Sequence, residues 1–226
     1  MKKYFYQKIS CDLFELGAKV EIKHKPLKRL FDILFSLLIL TIGLPIFILI
    51  GITIKLTSRG PIFYAHERIG RGGKPFPCYK FRTMYSDAND RLQELLHSQP
   101  HLKEEWESSF KLKNDPRITP LGSFLRKTSL DELPQFWNVI RGDLSVVGPR
   151  PVVQQEIQKH FGEKAPVILS VRPGLTGIWQ VSGRSDTAYS MRIELDEKYV
   201  DTQTLLLDLK LIAKTIPAMI FSRGAY

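Results

Sequence analysis

The stretch from Leu30 to Ile54 constrains this chain more than any other, because only Asp32, Ser36, Thr41 and Thr53 interrupt its apolar character. About 20 such residues suffice to cross a bilayer as a helix. No small-residue cleavage site follows, so the segment reads as retained. Gly43 and Pro45 fall near its middle, where a helix bends. Lys25, Lys28 and Arg29 flank one end, Lys55 and Arg59 the other. By the positive-inside rule both ends belong on the cytoplasmic side. A re-entrant helix bent near Leu44-Pro45, leaving by the leaflet it entered, meets all these conditions. A simple span and a buried core helix are the alternatives.

The 226 residues carry a formal charge of +10. Such an excess points to an anionic partner: a phosphorylated substrate, an acidic membrane surface or nucleic acid. No nucleic-acid motif or aromatic-basic array accompanies the charge, so nucleic acid is not expected. Cys11 and Cys78 are too few for a disulfide framework and fit a reducing compartment. His24, His66, His97, His101 and His160 show no metal-ligand spacing.

Beyond Ser58 the pattern changes to short strands and turns. Ile62–Ala65 and Cys78–Arg82 read as strands around a Gly70–Lys74 turn. That turn lacks the Gly-Lys-Ser/Thr ending and helix of a phosphate loop. Lys80 and Arg82 alternate with aromatics and would share a strand face. Asp87–Lys113 reads as helix interrupted at Pro100, with Leu92, Leu95, Leu96, Leu102, Trp106 and Phe110 as its apolar stripe. Leu121–Lys127, Val152–Phe161, Met191–Val200 and Leu205–Ile220 are further helices, the last suited to a membrane interface. Between them, Val171–Arg184 is dense in glycine, proline and arginine, as in a loop closing on a ligand; an ordinary surface loop is the plainer alternative.

The chemistry gathers between Arg126 and Pro151. Asp131 and Glu132 stand where a helix begins: Ser129 with Glu132 fits a capping box, while Pro134 allows a start at Asp131 instead. Leu133, Phe136, Trp137 and Ile140 follow at helical spacing. Backbone N–H groups there would favour an ionised Asp131 and could hold a phosphate. Arg126, Lys127, Arg141 and Arg150 add anion-binding capacity around a carboxylate fit to be a nucleophile or a metal ligand. Adjacent helical residues point about 100° apart, so the two carboxylates cannot serve as twin nucleophiles. An ordinary capped amphipathic helix is the plain alternative.

Several ordered motifs then resemble the bacterial monotopic phosphoglycosyl transferases, the polyprenyl-phosphate sugar-1-phosphate transferases. They are Lys28–Asp32, Tyr79–Met84, Ser129–Gln135, Gly142–Pro151, Arg172–Gly177 and the closing Gly224-Ala225-Tyr226. The closing tripeptide and Trp179-Gln180-Val181 look most like undecaprenyl-phosphate galactose or glucose phosphotransferases. The resemblance implies a small, irregular α/β catalytic domain with short strands, anchored by the re-entrant helix and interfacial amphipathic helices at the cytoplasmic face of the inner membrane. Its domains would be a basic arm (1–29), the membrane helix (30–57) and the catalytic domain (58–226).

The resemblance also implies that hexose-1-phosphate passes from a UDP-sugar to undecaprenyl phosphate through an aspartyl intermediate, with release of UMP, to initiate O-antigen, capsule or exopolysaccharide synthesis. Asp131 would be the nucleophile, and Mg²⁺ would sit by Asp131 and Glu132. Arg126, Arg150 and Lys80 would bind phosphate, Arg172 and Arg184 the nucleotide, and Asp196 would be a further polar site residue. Homodimer formation is compatible with this reading. Leu44 replaces the serine that some relatives carry before the bend proline, which leaves the depth of the bend open. Two other classes compete: a non-catalytic basic module on anionic lipid, and a membrane phosphatase with an aspartyl intermediate.

Overall fold

The computed structural model describes residues 20–109, 112–182 and 189–220, with side chains 108–109 and 218–220 excepted. Residues 1–19, with Cys11, lie outside that set, as do Phe110, Arg184 and Gly224-Ala225-Tyr226.

Helix α1 (Pro26–Thr57) begins earlier than the apolar run, on a proline, and continues through Pro45. At 1.5 Å per residue its 32 residues measure about 48 Å. Two of the polar interruptions, Asp32 and Ser36, share one face with Lys28 at i, i+4 and i+8, and all three are buried. Asp32 accepts from Ser145 Oγ (2.8 Å) and Val146 N–H (3.1 Å), and Lys28 bonds Asp208 at 2.8 Å. The other end docks through apolar contact, Ile50 and Ile54 packing with Phe81 and Leu125. Between these docked ends Leu38, Ile42, Leu44 and Ile46 are exposed. That exposure removes the core-helix alternative, since a core helix hides its apolar surface.

Strands β1 (Phe63–Ile69) and β2 (Pro75–Phe81) form the expected antiparallel hairpin, longer than the sequence suggested. Its turn uses Gly72 and Gly73 at φ +71° and +75°, a region open to glycine. At the strand's end Arg82 is buried and donates to Ser58 O and Oγ, so it caps the end of α1 instead of meeting an anion. Helices α2 (Ala88–Ser98) and α3 (Pro100–Ser109) break at Pro100 as expected. Helix α4 (Pro120–Lys127) is capped by Thr119 Oγ1, which accepts from Gly122 N–H. A Cβ on Gly122 would collide with the Thr83 carbonyl, so glycine lets α4 lie directly on the end of the hairpin.

A single 3-10 turn (Leu130–Glu132) precedes α5 (Gln135–Arg141). Parallel strands β3 (Ser145–Val147) and β4 (Gly174–Thr176) pair Ser145 with Gly174 and Val147 with Thr176. Part of the stretch expected as loop is therefore strand, and Ile178–Val181 is a short helix. Cβ atoms on Gly148, Gly174 or Gly177 would strike backbone of the partner segment, so these glycines serve strand-to-strand approach. Between the strands, the helix expected over Val152–Phe161 is a short α turn, α6 (Gln154–Glu156), running into π-helical Ile157–Phe161; α7 (Ala165–Ile168) follows. Val152 instead bridges Ile69. The chain closes with α8 (Ile178–Val181), α9 (Tyr189–Thr202) and α10 (Leu205–Ile220).

Candidate active site

Asp131 is buried in the 3-10 turn. The expected capping box is absent: Ser129 makes no side-chain cap and adopts φ +56°, the one non-glycine residue with positive φ among those described. Holding a serine there is strained, and the strain lies two residues ahead of Asp131. The turn ends before Pro134, so Asp131 is not in the first turn of α5. The buried face of α5 also differs from the apolar spacing. Gln135, Asn138 and Val139 point inward while Trp137 is exposed.

Three elements meet at Asp131. From β2, Lys80 Nζ stands 3.7 Å from Asp131 Oδ2 and 2.6 Å from Glu132 Oε1. The two carboxylates therefore converge on one ammonium although they leave the turn in different directions. From α4, the Arg126 charge acts on Asp131, and its Nε donates to Thr83 Oγ1 at 2.9 Å. Burial raises the Asp131 carboxyl above the usual range; Lys80 opposes this, Glu132 adds to it, and Arg126 opposes it again. Leu130 and Leu133, on either side of the pair, pack against Ile50, Ile54, Phe81 and Leu125. The carboxylate turn is thus seated on the second half of the long apolar helix.

Asn138, which the sequence reading passed over, fixes this geometry. Its Oδ1 accepts the Tyr79 N–H at 3.0 Å, and its Nδ2 donates to Pro77 O (2.7 Å) and Asp143 Oδ2 (3.0 Å). That ties α5 to β2 one residue before Lys80. No sequence signal marked it: the inward face of α5 also carries Gln135, so a polar residue there does not stand out.

The other expected site residues lie apart. Arg150 is exposed, 5.4 Å from the Trp179 ring centre, and its backbone N–H is held by Asp196. Burial pushes the Asp196 carboxyl up to about 7, with Arg192 and Arg150 opposing. Arg172 bonds Gly142 O at 2.8 Å, beyond the C-terminal end of α5, whereas Asp131 precedes its N-terminal end. The geometry therefore does not bring Arg172 to Asp131. Cys78 is buried and its thiol pushed up to about 11 by that burial, so it is no nucleophile.

Among the described residues no group of three or more His, Cys, Asp or Glu side chains could enclose a metal. Asp131 and Glu132 supply the one or two carboxylates that Mg²⁺ commonly takes, and both face the Lys80 ammonium in this arrangement.

The profile of the family described as bacterial sugar transferase matches residues 23–222. The chain is 49% identical to the exopolysaccharide production protein ExoY of Sinorhizobium fredii, over 88% of each protein. It is 48% identical to the undecaprenyl-phosphate galactose phosphotransferase of Salmonella typhimurium, over 88% of this chain and 42% of that protein. The UDP-glucose:undecaprenyl-phosphate glucose-1-phosphate transferase of Escherichia coli is 36% identical, with 88% and 41% covered. The chain belongs to the bacterial sugar transferase family and is a transferase. The family resemblance drawn from the motifs stands.

Proposed function

We propose that this transferase moves a hexose-1-phosphate, galactose or glucose, from a UDP-sugar to undecaprenyl phosphate at the cytoplasmic membrane face, as the first step of a surface polysaccharide. Asp131 attacks the sugar-bearing phosphorus of the donor, the diphosphate bond breaks, and UMP leaves. A phosphate oxygen of undecaprenyl phosphate then attacks the same phosphorus and releases the Asp131 carboxylate. Two displacements let one carboxylate serve a soluble donor and a lipid acceptor in turn. Lys80 and Arg126 oppose the burial that raises the Asp131 carboxyl, and meet phosphate oxygens. Asp131 and Glu132 would hold Mg²⁺, which when bound supplies neutralisation of the diphosphate charge.

One observation carries the reading: a buried carboxylate faced by a lysine is seated, through Leu130 and Leu133, on a helix long and apolar enough to cross a membrane. A lipid phosphate arriving along that helix meets the nucleophile. Docking of both ends of α1 on the same body, with its middle bare, supports a re-entrant path bent at Pro45.

UMP release from a panel of UDP-sugars, with Mg²⁺ and undecaprenyl phosphate, tests the proposal. One or two hexose donors should give UMP and lipid-linked product, and Asp131→Asn should abolish both. Hydrolysed phosphate without lipid product would instead establish a phosphatase. No UMP from folded protein with any donor would leave a binding module.

A further inference from the structure

Part of the positive charge collects where the transfer reaction has no use for it. A cleft at the start of α1 is lined by Lys23, Lys25, Arg29, Arg71 and Arg172, together with Asp32. Lys28, also there, is neutralised by Asp208 at 2.8 Å and Asp32 at 3.7 Å, and Lys23 reaches Asp201 only at 4.0 Å. Among the described residues none of the others makes an ion pair, although Asp208 acts on Lys25 and Asp32 on Arg172 from farther off. Lys25 Nζ donates to Gln203 O, Arg29 to Val139 O and Ile140 O, and Arg172 to Gly142 O, all neutral acceptors. Arg71 has neither a side-chain hydrogen bond nor an ion pair among the described residues. Burial, then Arg71 and Arg29, pull the Arg172 guanidinium down to about 10; burial and then Lys23 lower Lys25. Crowded, half-buried like charges are unfavourable until an anion joins them.

The borders of the cleft indicate what carries that anion. Leu27, Leu30 and Leu34 of α1 are exposed, as are Leu205, Leu206 and Leu209 of α10. Gln203, two residues ahead of α10, is itself in the cleft wall. A cationic cleft between two helices with bare leucines, one of them of membrane length, suits a phosphate attached to acyl chains. We propose that this cleft binds the phosphate of an anionic phospholipid headgroup through Lys25, Arg71 and Arg172, with the acyl chains along α1 and α10. The site is separate from Asp131, because Arg29 and Arg172 bond carbonyls at the C-terminal end of α5 and Asp131 precedes its start.

Thermal unfolding of the full chain in detergent tests the cleft. The probes are dihexanoyl-phosphatidylglycerol, dihexanoyl-phosphatidylcholine and inorganic phosphate at matched ionic strength. The variants are Lys25→Glu/Arg71→Glu and, with the same net charge, Lys103→Glu/Lys159→Glu. Phosphatidylglycerol should raise the midpoint of wild type and the control variant. Its apparent affinity should fall at least about fivefold in the cleft variant, as expected for lost charge-assisted bonds. UMP release in detergent reports that the cleft variant is folded, since neither residue touches Asp131. Inorganic phosphate acting as strongly as the lipid, with the same loss in the variant, would make the ligand a soluble phosphate. Equal effects of phosphatidylcholine, equal shifts in both variants, or no shift in wild type would overturn the site.

Discussion

Lys80 stands 3.7 Å from Asp131 while bonding Glu132 at 2.6 Å; elsewhere in the fold Arg192 stands 3.9 Å from Asp196 while bonding Glu156 at 3.1 Å. Each corner places a buried aspartate beside a cation already engaged by a glutamate, and in each burial raises the aspartate carboxyl. They differ in cover. Lys80 and Glu132 keep 30% and 39% of their side chains exposed, so that pair can exchange partners with an arriving phosphate. Arg192 keeps 7% and lies over the Trp179 and Tyr189 rings, and Tyr189 and Arg68 close on Glu156. Asp196 accepts from the Arg150 backbone, while its Oδ2 is buried without a hydrogen-bond partner. Similar charges thus leave one corner open outward, where we propose the chemistry, and seal the other around the Arg150 backbone.

The largest test of that difference pairs the two aspartates. Asp131→Asn should cut UMP release at least about 1000-fold, and Asp196→Asn less than about tenfold. Comparable losses would erase the distinction. Next comes Lys80→Met, for which a fall of about 10- to 100-fold is expected. Lys80 is the strongest influence lowering the Asp131 carboxyl. Its removal should therefore shift the acid limb of the pH–rate profile to higher pH, and an unmoved limb would count against Asp131 as the titrating group.

The sealed corner should answer in stability. Asp196 has a folded-state value of about 7 against 3.8 for a free carboxyl. The stability it contributes is full below the free value and is lost as pH rises through 7. Denaturant midpoints at pH 5 and pH 8 should show Asp196→Asn gaining on wild type at the higher pH. Smallest of all, Tyr189→Phe removes the 2.8 Å bond to Glu156 and should cost about 1 kcal/mol, with UMP release unchanged.

The sequence was most informative where a residue's local chemistry sets its conformation. Gly72 and Gly73 need positive φ, Pro100 cannot continue α2, and the apolar run of α1 is long enough to cross a membrane. The Asp131-Glu132 pair was legible for the same reason, as two carboxylates beside basic residues. Distant partners were less legible. Ser129 has the spacing of a cap, yet α4 and the Asp131 turn hold it left-handed. Gly174 reads as loop glycine until Ser145 is known to pair with it. Arg172 carries the charge a nucleotide wants, but the Gly142 carbonyl decides where it lies. Asn138 became visible only once β2 was laid against α5.

The anchoring of α1 also has a bearing on the order of events during synthesis. Asp32 waits for Ser145 and Val146, 113 and 114 residues downstream, and Lys28 waits for Asp208, 180 residues downstream. At ~5–20 residues per second the second interval is about 10–35 seconds. Throughout it, an early-emerging apolar helix carries polar groups whose partners have not left the ribosome. Final seating of α1 is therefore a late event, and a truncated or stalled chain would leave it without its polar clamp.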